Sequence, residues 1–245
     1  MIKFILILLG IFFVGSSPVA ADESRIAVAS NFNHAIKAIA ERFQKQSGDK
    51  IVLVFGATGK FYAQIMNGAP FDAFFAADMR RPALLEQKGV ALPGSRFTYA
   101  QGKIVLFGPR AGYATVTELK KQAYRYLAIA NPKLAPYGEA AKQVLEKLDL
   151  WDALRHKLVR GENIGQTYQF VISGNAELGF VALSQIKRPG IAISGSYWEV
   201  PADLYQPIKQ QAVLLSHNLV AKAFMEFVQS DEAKAIIQGF GYEVP

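Results

Sequence analysis

Four short stretches of the chain put small polar side chains, or a proline followed by a tyrosine, between an apolar run and an amphipathic one. They are Ser30-Asn31, Gly56-Ala57-Thr58-Gly59, Pro136-Tyr137 and Asn163-Ile164. These residue types bring together no strong nucleophile, general base or set of metal ligands. They offer hydrogen bonding by hydroxyl, amide and main-chain N–H. Where a strand feeds a helix, the first N–H groups have no intrahelical acceptor and sit at the positive end of the helix dipole. Such a junction suits an anion.

The elements that must position these junctions are read from hydrophobic periodicity. Arg25 to Ala29 reads as a strand, and Phe32, Ala35, Ile36, Ile39, Ala40 and Phe43 then recur at helical spacing until Lys45 and Gly48 close the helix. Ile51 to Phe55 predicts a second strand, with a helix over Lys60 to Asn67, and Ala73 to Ala76 a third, with a helix over Met79 to Gln87. Strands over Ile104 to Phe107, Tyr126 to Ala130, Leu158 to Arg160 and Leu178 to Ala182 follow, with a weaker one at Ile191 to Ile193. Helices are expected at Val116 to Gln122, from Pro136 onward, and over Gln166 to Ser173. The segment from Gly195 to Pro207 reads as an aromatic loop. Ile208 to Leu215 predicts a last strand, followed by a helix burying Leu219, Ala223, Phe224 and Phe227 and a final helix capped near Ser230. Alternating strands and helices argue a parallel α/β sheet, in which ligands bind outside the carboxyl ends of the strands. The four junctions all lie at that end.

Several chemistries are excluded by spacing. Gly56 to Lys60 is not a phosphate-binding P-loop, because Val54 and Phe61 stand where that motif needs glycine and Ser or Thr. There is no G-x-S-x-G pentapeptide for a hydrolase nucleophile, and His34, His156 and His217 are too scattered for a zinc enzyme. Asp72 and Asp78 read as turn and cap residues, not paired catalytic acids. The residues therefore point to binding without turnover.

Lys3, the apolar run Phe4 to Val14 and the small residues up to Ala21 form a signal peptide, 1–21, with cleavage expected after Ala21. Removal leaves about 220 residues, enough for two small domains. The net charge is +7, and no arginine-rich or aromatic-basic run accompanies it, so nucleic acid is not an expected partner. The chain has no cysteine, which suits an exported bacterial protein of this size with an adequate core and argues against a lipid anchor.

The stretches Ala29-Ser-Asn-Phe32, Phe55 to Ile65, Gly68 to Asp78, Asn131-Pro to Gly138 and Glu177 to Val181 together resemble the periplasmic molybdate-binding proteins, the substrate-binding subunits of molybdate ABC transporters. The resemblance covers essentially the whole mature chain. It implies an α/β fold of the two-lobed periplasmic-binding type (type II), each lobe a mostly parallel sheet flanked by helices, with the ligand in the cleft. Lobe I would hold residues 22–101 and 206–245, and lobe II residues 102–205. It further implies a periplasmic monomer that is not an enzyme and needs no cofactor, and that delivers molybdate, and tungstate with it, to a membrane permease. Molybdenum would enter only as the bound oxyanion. The alternative is another tetrahedral oxyanion, namely sulfate, phosphate or chromate. Carried over position by position, the donors are Ser30, Asn31, Thr58, Tyr137 and the N–H of Ile164. Some relatives place a tyrosine donor where this chain has Ala182. Here Tyr137 stands where those relatives have alanine, so the phenol comes from a different junction.

Overall fold

The computed structural model describes residues 23–245, so the expected signal peptide lies outside the described residues. The first sheet is built from β1 (Glu23–Ala29), β2 (Lys50–Gly56), β3 (Ala73–Ala76), β4 (Phe97–Gly102) and β10 (Ile208–Leu214), in the order β2-β1-β3-β10-β4. The second contains β5 (Ile104–Gly108), β6 (Leu127–Ala130), β7 (Leu158–Gly161), β8 (Leu178–Ala182) and β9 (Ser196–Glu199), ordered β7-β6-β8-β5-β9. Both sheets are mixed. β1 pairs in parallel with β2 and β3, while β10 runs antiparallel to β3 and β4; β6 is parallel to β7 and β8, while β5 is antiparallel to β8 and β9. The chain passes from the first sheet to the second between Gly102 and Ile104 and returns between Glu199 and Ile208.

Each sheet is covered on both faces because alternate strand residues are apolar on both sides. In the first, Ile26 and Val28 pack on α1 (Asn33–Ser47), α9 (Leu219–Val228) and α10 (Asp231–Gly239), while Ala27 and Phe74 pack on α2 (Thr58–Met66) and α3 (Arg80–Gln87). In the second, Leu106 and Phe180 face α5 (Pro136–Lys147), with α4 (Val116–Lys121) and α6 (Trp151–Leu154) beside it. Val105 and Val181 face α7 (Ile164–Ile172) and α8 (Leu183–Ile186).

The structure corrects the periodicity reading in places. Ile191 to Ile193 is not a strand: Ile191 is 63% exposed and makes only an isolated bridge to Arg188. The strand at that edge is β9, within the expected loop, where Ser196 and Trp198 turn inward and Tyr197 and Glu199 outward. An edge strand needs only one buried face, so its alternating, polar-rich pattern carries little apolar signal. β4 and the short α6 were not expected. On α9 the buried stripe is Val220, Ala221, Phe224, Met225 and Val228, and Leu219 is exposed. Its cap residue Asn218 starts the helix so that Leu219 faces solvent.

Candidate functional site

β1 ends at Ala29, and Ser30 to Phe32 form a 3-10 turn leading directly into α1. Phe32 anchors that turn, its ring 4.6 Å from Tyr99 and 5.4 Å from Tyr242. α2 starts at Thr58 and α7 at Ile164, both earlier than periodicity predicts, so each of these residues is the first of its helix and has no intrahelical acceptor for its N–H. The Asn163 side chain caps α7 by accepting from Gln166 N–H at 3.0 Å. Pro136 occupies the first turn of α5, where its missing N–H costs nothing, and Tyr137 follows it.

These junctions meet across the two sheets. Ser30 Oγ accepts from Gly165 N–H at 3.1 Å, which joins the end of β1 to the start of α7. Gly59 N–H donates to Leu134 O at 2.8 Å, bringing the start of α2 to the segment ahead of α5. Lys60 and Glu162 form an ion pair beside them, and Arg81, held by Asp78, reaches Lys133 O. Gln185 Nε2 donates to Ile164 O at 2.9 Å while its Oε1 accepts from the buried Ala182 N–H, fixing the start of α7 against the end of β8. Asp78 Oδ1 accepts from Arg81 N–H and Asp72 ties Arg25 N–H and Ser216, so both acids serve turns and caps.

The hydroxyls at this meeting point share one pattern. Thr58 Oγ1 accepts from Ala77 N–H at 3.1 Å, Ser30 Oγ from Gly165 N–H, and Tyr137 Oη from Gln210 Nε2 at 3.2 Å. None of the three is the donor of a direct hydrogen bond to a protein acceptor among the described residues, although the Tyr242 hydroxyl lies beside that of Tyr137. Thr98 and the helix-capping Thr115 and Ser230 also accept without donating, whereas the hydroxyls of Ser24, Tyr99, Tyr124, Thr167, Ser184 and Tyr242 each donate to a protein oxygen. Ser30, Thr58 and Tyr137 thus hold uncommitted O–H protons, and Thr58 and Tyr137 are almost wholly buried.

Asn31 sits differently. Its side chain is buried, with Nδ2 donating to Gln210 Oε1 at 2.7 Å and to Tyr242 Oη at 3.0 Å, while Oδ1 has no partner. Its carbonyl accepts from Ser184 Oγ and Tyr242 Oη. Asn31 and Tyr137 are therefore linked by hydrogen bonds through Gln210. Burial raises the phenols of Tyr99, Tyr137 and Tyr242 above the usual tyrosine range, so all three stay protonated donors at neutral pH. Among the described residues no group of three His, Cys, Asp or Glu is placed to hold a metal ion. The assembled groups can donate hydrogen bonds from neutral dipoles, with the helix starts adding partial positive charge.

Sequence reasoning missed Gln210, Tyr99, Ser184 and Tyr242. One signal was available: beyond the exposed Lys209, the adjacent Gln210 and Gln211 put a polar residue on each face of a strand that continues as Ala-Val-Leu. Both side chains are buried.

The chain matches the model of the bacterial extracellular solute-binding protein family over residues 24–243. It is 50% identical to the molybdate-binding protein ModA of Azotobacter vinelandii over 91% of this chain and 90% of that one. It is 46% identical to the molybdate-binding protein ModA of Rhodobacter capsulatus, over 92% and 90%. Among solved structures, a periplasmic molybdate-binding protein of Azotobacter vinelandii superposes with a TM-score of 0.88 at 42% identity, covering 91% of this chain and 99% of that one. The sulfate-binding protein SubI of Mycobacterium tuberculosis shares the fold alone, with a TM-score of 0.72 at 14% identity over 91% and 87%. With matches of this extent, the chain belongs to the bacterial extracellular solute-binding proteins and, within them, to the family of the periplasmic molybdate-binding proteins.

Proposed function

We propose that this protein captures molybdate, and tungstate with it, outside the cytoplasm and delivers the ion as a monomer to the membrane permease of an ABC transporter. Residues 22–101 and 206–245 form one lobe and residues 102–205 the other, with the crossovers near Gly102 and Gln206 as the hinge. The ion lies where the helix starts meet. Ser30 and Thr58 donate from the first lobe by hydroxyl and N–H, Asn31 adds its N–H, and Tyr137 and the Ile164 N–H donate from the second.

One observation carries this reading: the hydroxyls of Ser30, Thr58 and Tyr137 each already accept a protein N–H and keep their own proton uncommitted. A shell of donors suits a fully deprotonated tetrahedral dianion, because every anion oxygen accepts and none needs an acceptor in return. Neutral dipoles neutralise such an ion without a buried cation that would hinder release. A shell of fixed radius separates the larger molybdate and tungstate from sulfate.

Calorimetric titration of the mature protein with molybdate, tungstate, sulfate, phosphate and chromate tests the assignment. The expected result is tight binding of molybdate and tungstate and much weaker binding of the others. Tight binding of sulfate, phosphate or chromate without molybdate would reassign the ligand.

A further inference from the structure

Gln210 lies on β10, two residues past its start, and is wholly buried. The β10–β4 register shifts beside it: Gln210 faces Ala100 and Gln211 faces Thr98, so Tyr99 is the extra residue of a bulge. A bulge re-aims side chains, and Tyr99 Oη here reaches Gln210 Oε1 at 2.9 Å.

The donor and acceptor directions around Gln210 form a closed sequence. Tyr242 Oη donates to Asn31 O at 2.8 Å, so toward the Asn31 side chain it can only accept, and the Asn31 group facing it is Nδ2. Nδ2 also faces Gln210 at 2.7 Å, so that atom of Gln210 is Oε1. Gln210 Nε2 is then turned to Tyr137 Oη, and a phenol oxygen that accepts there must direct its own proton elsewhere. Gly102 makes room for the contact. A Cβ at Gly102 would lie 1.9 Å from Tyr137 Oη and 2.6 Å from Gln210 Nε2.

We infer that Gln210 is a positioning residue for anion binding: its amide, oriented by Asn31, Tyr99 and Tyr242, occupies the Tyr137 oxygen as an acceptor and so turns the phenol proton away from Gln210, leaving Tyr137 to donate to the ligand in competition with the neighbouring Tyr242 hydroxyl. The inference rests on the molybdate reading above and assigns Gln210 no contact with the ion. It also gives the buried Asn31 side chain a task, since Asn31 sets the orientation of Gln210.

The test is a double-mutant cycle read by calorimetric molybdate titration of the wild type, Gln210→Met, Tyr137→Phe and the double variant, with the unliganded melting temperature of each. Methionine keeps the volume and leaves Asn31 bonded to Tyr242 and Tyr99 within 3.1 Å of Ala76 O. Gln210→Met should weaken binding about tenfold in the wild-type background and less than about twofold in the Tyr137→Phe background. Equal losses in both backgrounds, no loss in the first, or an unchanged affinity of Tyr137→Phe would each overturn the inference. Gln210→Leu replaces Gln210→Met in the cycle if the latter does not fold. A wild-type protein that binds a different oxyanion overturns the ligand assignment alone, and the same cycle run with that ion then decides the role of Gln210.

Discussion

Ser30 Oγ and the Gly165 main-chain N–H are 3.1 Å apart, a hydrogen bond that joins the 3-10 turn after β1 to the first turn of α7. One hydroxyl thus links the two sheets and, in the proposed site, also donates to the ion. Ser30→Ala removes both functions. Loss of a charge-assisted donor to an anion costs about 1.5–3 kcal/mol, so molybdate affinity should fall about tenfold or more in calorimetry. Wild-type affinity in this variant would remove Ser30 from the site.

Thr58→Val separates binding from stability. The hydroxyl accepts from the buried Ala77 N–H, just past the end of β3, and valine keeps its shape but leaves that N–H without a partner. The unliganded protein should lose about 1–3 kcal/mol of stability, measured by thermal or urea unfolding, together with a weakened molybdate affinity. A loss of stability with unchanged affinity would make Thr58 purely structural.

Gly102→Ala tests the contact at the first crossover. Its methyl group would overlap Tyr137 Oη and Gln210 Nε2 at distances well inside van der Waals contact. Overpacking of this kind costs about 1–3 kcal/mol, and Tyr137 is the side chain that must yield. The expected outcome is a lower melting temperature and weaker molybdate binding. A variant with wild-type values for both would show that the two lobes do not close on Tyr137.

The parts of the fold legible in the sequence are those whose pattern is local. β1, β3 and β8 stand out as apolar runs buried on both faces, and Gly48 and Ser230 mark helix ends by their own chemistry. The four junctions were legible for the same reason, because a small polar residue or a proline between two periodicities is a local signal, although α2 and α7 begin two residues earlier than periodicity predicts. β9 was not, since an edge strand with one buried face reads as a loop. Nor was the layer behind the junctions. Asn31 with Gln210 and with Tyr242 are pairs 179 and 211 residues apart, and no spacing rule brings them together. Asn31 therefore reads as a free donor in the sequence, although its amide is occupied within the fold.

Lys60 and Glu162 pair across the same junctions, but both side chains are about half exposed. An exposed ion pair contributes about 0–1 kcal/mol and is screened by salt. Glu162→Gln should therefore change molybdate affinity by less than about fivefold, and the small effect should vanish at high ionic strength. A larger, salt-independent loss would mean that Lys60 and Glu162 hold the lobes together more firmly than their exposure allows.

The contact between His34 and Arg188 should make affinity depend on pH. His34, in the first turn of α1, lies 3.1 Å by Nε2 from the Arg188 guanidinium beyond α8, and its ring stacks at 6.5 Å on Phe240. Burial, then Arg188, then Lys37 lower its pKa from the ordinary value near 6.5. The packed arrangement therefore favours the neutral imidazole. If opening of the cleft separates Arg188 from His34, the pKa returns part of the way toward 6.5, Phe240 and Lys37 staying beside the ring, so an open form would take up a proton first. The contact's contribution to closure is fully present above about pH 6.5 and falls as pH drops below it. Molybdate affinity of the wild type should decline between about pH 7.5 and 5.5, and His34→Gln should flatten part of that slope. Protonation of the ion itself is common to both proteins and cancels in the difference. Parallel profiles for the two proteins would show that His34 and Arg188 stay in contact in both the open and closed forms.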